Sequence, residues 1–172
     1  RRSPAASIIW IGARLGATLA AEASVVCKPE RLILWDPILN GAAYLRELSL
    51  RAWTTLETSY DVPEPGWRAR YASGSFDPAR EGSGIEMGAL LREQLDNLSP
   101  AVVATPKAGR CDLLLSAGNH ETSALTERWT RAALSVEQIV LPHGFDWASS
   151  DALSAALVPA DVVRLIVSRA KP

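Results

Sequence analysis

Apolar and polar positions along the chain follow two rhythms. Ser7 to Ile11 (Ser-Ile-Ile-Trp-Ile) and Arg31 to Trp35 (Arg-Leu-Ile-Leu-Trp) are short, continuous, largely β-branched or leucine-rich runs of the kind that form buried strands. Between them the alanine- and leucine-rich stretch Leu15 to Ala23 favours a helix. Gly12 closes the first run and Asp36-Pro37 the second, since proline has no N–H to give a sheet ladder. The spacing predicts one complete βαβ unit.

From Gly41 the period lengthens: Leu45, Leu48, Ala52 and Leu56 share one helical face, with Arg46, Glu47 and Arg51 elsewhere. Asp61 to Gly84, with Pro63, Pro65, Gly66, Gly74, Pro78, Gly82 and Gly84, is too long for an ordinary connection and predicts a binding loop or an insert. Met87, Leu90, Leu91, Leu95 and Leu98 make a further helical stripe. Strand and helix then resume as Cys111 to Leu115, Thr122 to Ala133, Val136 to Leu141 and Pro159 to Ala170, with Pro159 suited to a helix start and Asp161 to its positive end. Alternating β and α predicts an α/β fold, a three-layer sandwich with a mostly parallel sheet and helices on both faces. A length of 172 residues suits a single domain, 1–172, carrying a helical insertion over about 40–100.

Composition narrows the partners. Hydrophobic residues make up 48% and charged ones 22%, with a formal net charge of −1, a balance that favours neither nucleic acid nor an anionic membrane surface. No apolar run approaches the ~20 residues of a membrane-spanning helix, and no signal-peptide pattern opens the chain, so a cytoplasmic location is expected. Cys27 and Cys111 have no framework spacing, which fits a reducing compartment. No His, Cys and carboxylate cluster has zinc spacing, so neither metal nor other cofactor is predicted. The chain opens at Arg1 and enters a strand by Ser7, and further N-terminal strands are expected upstream.

The first strand-to-helix junction holds the most informative residues. Gly12-Ala13-Arg14-Leu15-Gly16 has the layout of the nucleophile elbow G-x-S-x-G, with small residues at both ends and an arginine at the centre. A guanidinium stays protonated and has no lone pair to attack a carbonyl, so acyl transfer through Arg14 is excluded. A cation at a helix N-terminus opposes the dipole at a cost of about 0.3–1 kcal/mol, which an anionic ligand or a nearby carboxylate relieves. In the structural version of this reading, Arg14 pairs with Glu121 or Asp36 and locks the sheet edge.

Gly12-Ala13-Arg14-Leu15-Gly16-Ala17, Leu34-Trp35-Asp36-Pro37 and Gly41-Ala42-Ala43-Tyr44-Leu45-Arg46-Glu47-Leu48 together resemble the α/β-hydrolase-fold proteins called exosortase-system-associated hydrolases, relatives of serine aminopeptidase-like hydrolases. The resemblance covers most of the chain and is strongest from Ile8 to Leu56. It implies an α/β-hydrolase-like fold, C-terminal portion, in a protein linked to bacterial exopolysaccharide and exosortase systems. It also implies an acid after the third visible strand, where Glu121 stands in Gly118-Asn119-His120-Glu121, and a histidine after the fourth, where His143 stands in Pro142-His143-Gly144. The backbone N–H of Leu15 is the implied oxyanion donor. The insertion becomes a lid, with Asp36, Tyr44, Trp53, Trp67 and Tyr71 as pocket residues, and a small anionic or acyl compound becomes the substrate.

Two other classes fit the same residues. A non-catalytic interaction protein would keep the scaffold and present the lid to a protein partner. A dinucleotide-binding βαβ unit would use Gly12, Ala17 and Asp36, but Arg14 fills the position where backbone must approach pyrophosphate.

Overall fold

The apolar runs form four strands: β1 Ile9–Ala13, β2 Arg31–Trp35, β3 Arg110–Leu115 and β4 Val136–Val140. The helices between and after them are α1 Leu15–Cys27, α2 Gly41–Thr58, α3 Ala89–Asp96, α4 His120–Arg131 and α5 Ala160–Arg169. The computed structural model describes residues 8–58, 69, 72–74, 87–116, 120–142, 145, 147 and 159–171. The chain divides into two compact units, residues 1–39 with 99–172, and residues 40–98.

The first unit is an α/β fold whose four strands are all parallel and lie in the order β1-β2-β3-β4. Parallel neighbours cannot be joined by a hairpin, so each connection crosses a face of the sheet. The register shows which face. Gly12, Leu34, Leu113 and Gln138 form one row across the sheet. Ala17 of α1 lies against Gly12, and Thr126 of α4 is 3.2 Å from the Gln138 amide oxygen, so both helices belong to this row's side. Residues of the alternate parity, Ile33, Trp35 and Leu114, instead cluster with Leu141 and with Val162 of α5.

Central strands buried on both sides need unbroken apolar sequence, and β2 and β3 have it. Leu32, Ile33, Leu34, Leu113, Leu114 and Leu115 are at most 1% exposed, each worth about 1.5–3 kcal/mol of burial. On α1 the buried positions Ala17, Ala21 and Ser24 are all small, which lets the helix lie close on the sheet. Thr18 closes the same face by donating its hydroxyl to the Ile38 carbonyl at 2.7 Å.

Among the described residues, one charged side chain is buried in this core. Asp112, in the middle of β3, is fully buried, and its carboxylate is held by Arg31 at 2.7 Å and Arg110 at 2.9 Å. Arg110 and Arg169 also reach Glu137, so three guanidiniums enclose two carboxylates. Paired in this way the buried carboxylate avoids the several-kcal/mol penalty of an isolated ion.

In the second unit Asn40 caps α2 by accepting from the Ala43 N–H at 2.9 Å. Gly41 donates its N–H to the Leu98 carbonyl at 3.0 Å, and a Cβ there would fall 1.7 Å from the Leu95 carbonyl oxygen, a contact only glycine permits. The helical stripe expected on α3 is only partly buried. Leu95 is 3% exposed, whereas Leu90 and Leu91 are 68% and 44% exposed. No helix among the described residues is long and apolar enough to cross a membrane.

Candidate functional site

All four strands end on the same edge of the parallel sheet, and the residues there are tied to one another. β1 runs through Ala13, further than the sequence pattern predicts, which leaves Arg14 alone to turn the chain into α1. Arg14 adopts φ 52°, ψ −127°, a left-hand-side conformation that L-residues rarely hold. Such a backbone costs about 1–3 kcal/mol and persists only where the surroundings over-determine it. Here the surroundings do. The Arg14 N–H donates to the Trp35 carbonyl at 2.9 Å, and the Arg14 carbonyl accepts from Ala17 at 3.0 Å and Thr18 at 3.3 Å.

Gly12 is the residue that makes the turn sterically accessible. A Cβ on it would meet the Gly16 carbonyl oxygen at 2.6 Å and the Ala17 Cα at 2.7 Å. The second glycine of the pattern has no such role: a Cβ on Gly16 meets nothing within 4 Å. Helix and strand therefore approach closely at Gly12 and not at Gly16.

Sharp turns of this kind aim the central side chain outward from the sheet edge. The Arg14 side chain is half-buried, with its guanidinium carbon 5.6 Å from the centre of the Trp147 ring. A cation over an indole face gains about 0.5–1 kcal/mol, similar to the cost of placing it at a helix N-terminus. Leu15 is the first helical residue, and its N–H has no acceptor within the helix. No side chain caps α1.

Asp36, immediately after β2, is the hub of the edge. Its own backbone is left-handed at φ 43°, and its N–H donates to the Leu114 carbonyl at 2.9 Å. The carboxylate accepts three hydrogen bonds, from the Ser116 N–H at 2.7 Å, from the Ser116 hydroxyl, and from the Trp147 indole N–H at 2.7 Å. The Trp35 indole N–H points to the Ser116 hydroxyl oxygen at 3.4 Å. Trp35 and Trp147 are 4.5 Å apart between ring centres, and Phe145 lies 5.4 Å from Trp35 and 4.8 Å from Trp147. The carboxylate is thus engaged by the chain itself.

Of the residues singled out in the sequence, the structure brings Arg14, Leu15 and Asp36 together. Glu121 is exposed in the first turn of α4, where its charge complements the helix N-terminus. Tyr44 is a half-buried residue of α2 in the 40–98 unit. His143, Trp67, Tyr71 and the side chain of Trp53 lie outside the described residues. Sequence reasoning missed Ser116, Phe145 and Trp147. Trp147 is 111 positions from the carboxylate that holds it, and only its place soon after the last strand could have marked it.

Comparison with protein-family models, with curated proteins and with solved structures gives no match to this chain.

Proposed function

We propose that this chain is an α/β-hydrolase-like domain, akin to the exosortase-system-associated hydrolases, in which the elbow carries Arg14 in place of a nucleophile and serves to bind an oxyanion. The observation that carries the reading is the Arg14 backbone: φ 52°, ψ −127° on a single residue between a parallel strand and a helix is a strained strand-to-helix turn, as a nucleophile elbow requires. The close approach of Gly12 to Ala17 and the monotonic strand order support it. In this reading the fold is the three-layer sandwich of that superfamily, carrying a helical insertion over about 40–100.

The chemistry follows from the side chain. With no hydroxyl at the turn, the covalent acyl-enzyme route is closed, and what remains is a fixed cation beside a free helix N–H. That pair suits a carboxylate or phosphate group, bound bidentately by the guanidinium and by the Leu15 N–H. The protein then acts as a ligand-binding relative, with Glu121 and His143 as the residues to test for any residual hydrolysis through activated water.

The test combines ester hydrolysis with serine-directed phosphonate labelling of the unmodified protein and of Arg14→Ser. The reading expects no labelling of the unmodified protein and labelling of the variant at position 14. Labelling of the unmodified protein at another serine, Ser116 included, would overturn it.

A further inference from the structure

β1 leaves one edge of the sheet open. It stands at the end of the strand order and pairs, among the described strands, with β2 alone. The backbone groups turned toward β2 belong to even positions: the Ile8 carbonyl accepts from the Glu30 N–H at 2.9 Å, and the Arg14 N–H donates to the Trp35 carbonyl at 2.9 Å. Strand groups alternate in direction, so the N–H and C=O of Ile9, Ile11 and Ala13 face the open edge. Exposed edges are ordinarily blunted by lysine or proline. Residues 8–13 contain neither, and Ile8 and Ile11 are 58% and 54% exposed.

α1 carries a matching flank. Its Ala17, Ala21 and Ser24 are buried against the sheet. Thr18 donates to the Ile38 carbonyl and Glu22 accepts from the Ala104 N–H at 2.6 Å, so both point to the side of β2 and β3. At about 3.6 residues per turn the opposite flank, beside the open edge of β1, holds Gly16, Ala20, Ala23 and Cys27. All four are small and uncharged, and a Cβ on Gly16 meets nothing within 4 Å, so another helix can come close.

We propose that β1 and this flank of α1 form the interface of a homodimer, in which β1 pairs antiparallel with β1 of a second copy about a two-fold axis at Ile11 and makes one continuous sheet. The occupant follows from the strand's own sequence. About that axis Ile11 meets Ile11 of the second copy, while Ile9 opposes Ala13 and Trp10 opposes Gly12, so a bulky side chain meets a small or absent one in each unlike pair. Ile9, Ile11 and Ala13 then occupy the hydrogen-bonded positions, where each pair exchanges both of its N–H···O bonds. The axis also sets the two α1 flanks side by side. Neither strand nor flank bears a charge, so an isologous contact places no like charges together. Such a dimer requires nothing of the oxyanion reading above.

Sedimentation equilibrium across the micromolar range, with hydrogen exchange at the Ile9, Ile11 and Ala13 amides, tests the interface in the unmodified chain, Ile11→Lys, Ile11→Glu and Val26→Lys. The unmodified chain should approach twice its 18.5 kDa, with the three amides protected in proportion to the dimer formed. Ile11 is more than half exposed, so either charge leaves the fold intact, but each sets like charges on the axis and should weaken association at least about tenfold. Mixed in equal amounts, Ile11→Lys and Ile11→Glu should recover the dimer, which misfolded chains would not. Val26, 82% exposed on the face of α1 turned from the sheet, is the control, and Val26→Lys should associate as the unmodified chain does. A chain monomeric throughout, including one whose three amides are protected by a strand of its own, overturns the proposal. So does a dimer indifferent to both Ile11 variants or lost in Val26→Lys.

Discussion

The backbone of Arg14 makes a prediction with an unusual sign. Replacing a residue by glycine rather than alanine normally costs about 0.5–1 kcal/mol, because glycine has more freedom to lose on folding. At φ 52°, ψ −127° the balance changes, since a Cβ-bearing residue there bears about 1–3 kcal/mol of strain that glycine does not. Arg14→Gly and Arg14→Ala both remove the guanidinium and its contact with Trp147, so those losses cancel in the comparison. The difference leaves Arg14→Gly more stable than Arg14→Ala by roughly 0.5–2 kcal/mol. Gly16 supplies the opposite control two residues later. It is exposed, it lies within α1, and a Cβ on it meets nothing, so Gly16→Ala should stabilise by about 0.5–1 kcal/mol. Thermal unfolding of the three variants resolves these values, at about 2–4 °C per kcal/mol for a chain of this size. Alanine equal to or better than glycine at position 14 would refute the strained-turn assignment.

Three further outcomes follow from packing and charge. Gly12→Ala places a methyl against backbone atoms that cannot rotate away, so it should destabilise by at least about 1–3 kcal/mol in urea unfolding. Cys27 is exposed whereas burial, with Asp112 beside it, pushes the Cys111 thiol up to about 12, so iodoacetamide should modify one thiol in the folded chain and the second only after unfolding. The hydrogen bond and charge of Arg169, followed by the charges of Arg110 and Arg31, hold the Glu137 carboxyl below its ordinary 4.5. A carboxyl depressed by folding stabilises above its unfolded value and loses that contribution as pH falls through its folded value, so thermal stability should fall below about pH 4.5 less steeply in Glu137→Gln than in the unmodified chain.

The strands were legible because their signal is local. Arg31–Trp35 is unambiguous in sequence, and β3 and β4 shift by a single residue at one end, since a buried parallel strand is a continuous apolar run. The sequence pattern ends β1 too early because Gly12 reads as a terminator, whereas Gly12 sits inside the strand and makes room for Ala17. Arg14 was legible as a turn residue from its glycine-flanked position between strand and helix. The cluster beside it was not, because Asp36, Ser116 and Trp147 meet only where the fold gathers the segments that follow β2, β3 and β4, and no spacing in sequence encodes that. The buried Asp112 shows the same limit: a charged residue inside an apolar run is tolerated because Arg31 and Arg110 stand in the adjacent register, which only the sheet reveals.

The central claim is the proposal that the Arg14 guanidinium binds an oxyanion at this sheet edge. Isothermal titration of inorganic phosphate at low salt into the unmodified chain and into Arg14→Gln tests it most directly. Saturable binding to the unmodified chain, weakened tenfold or more in a variant of unchanged circular dichroism, is the predicted result, about 1.4 kcal/mol or more for the charge. Equal affinity in the two proteins, or none in either, would contradict it.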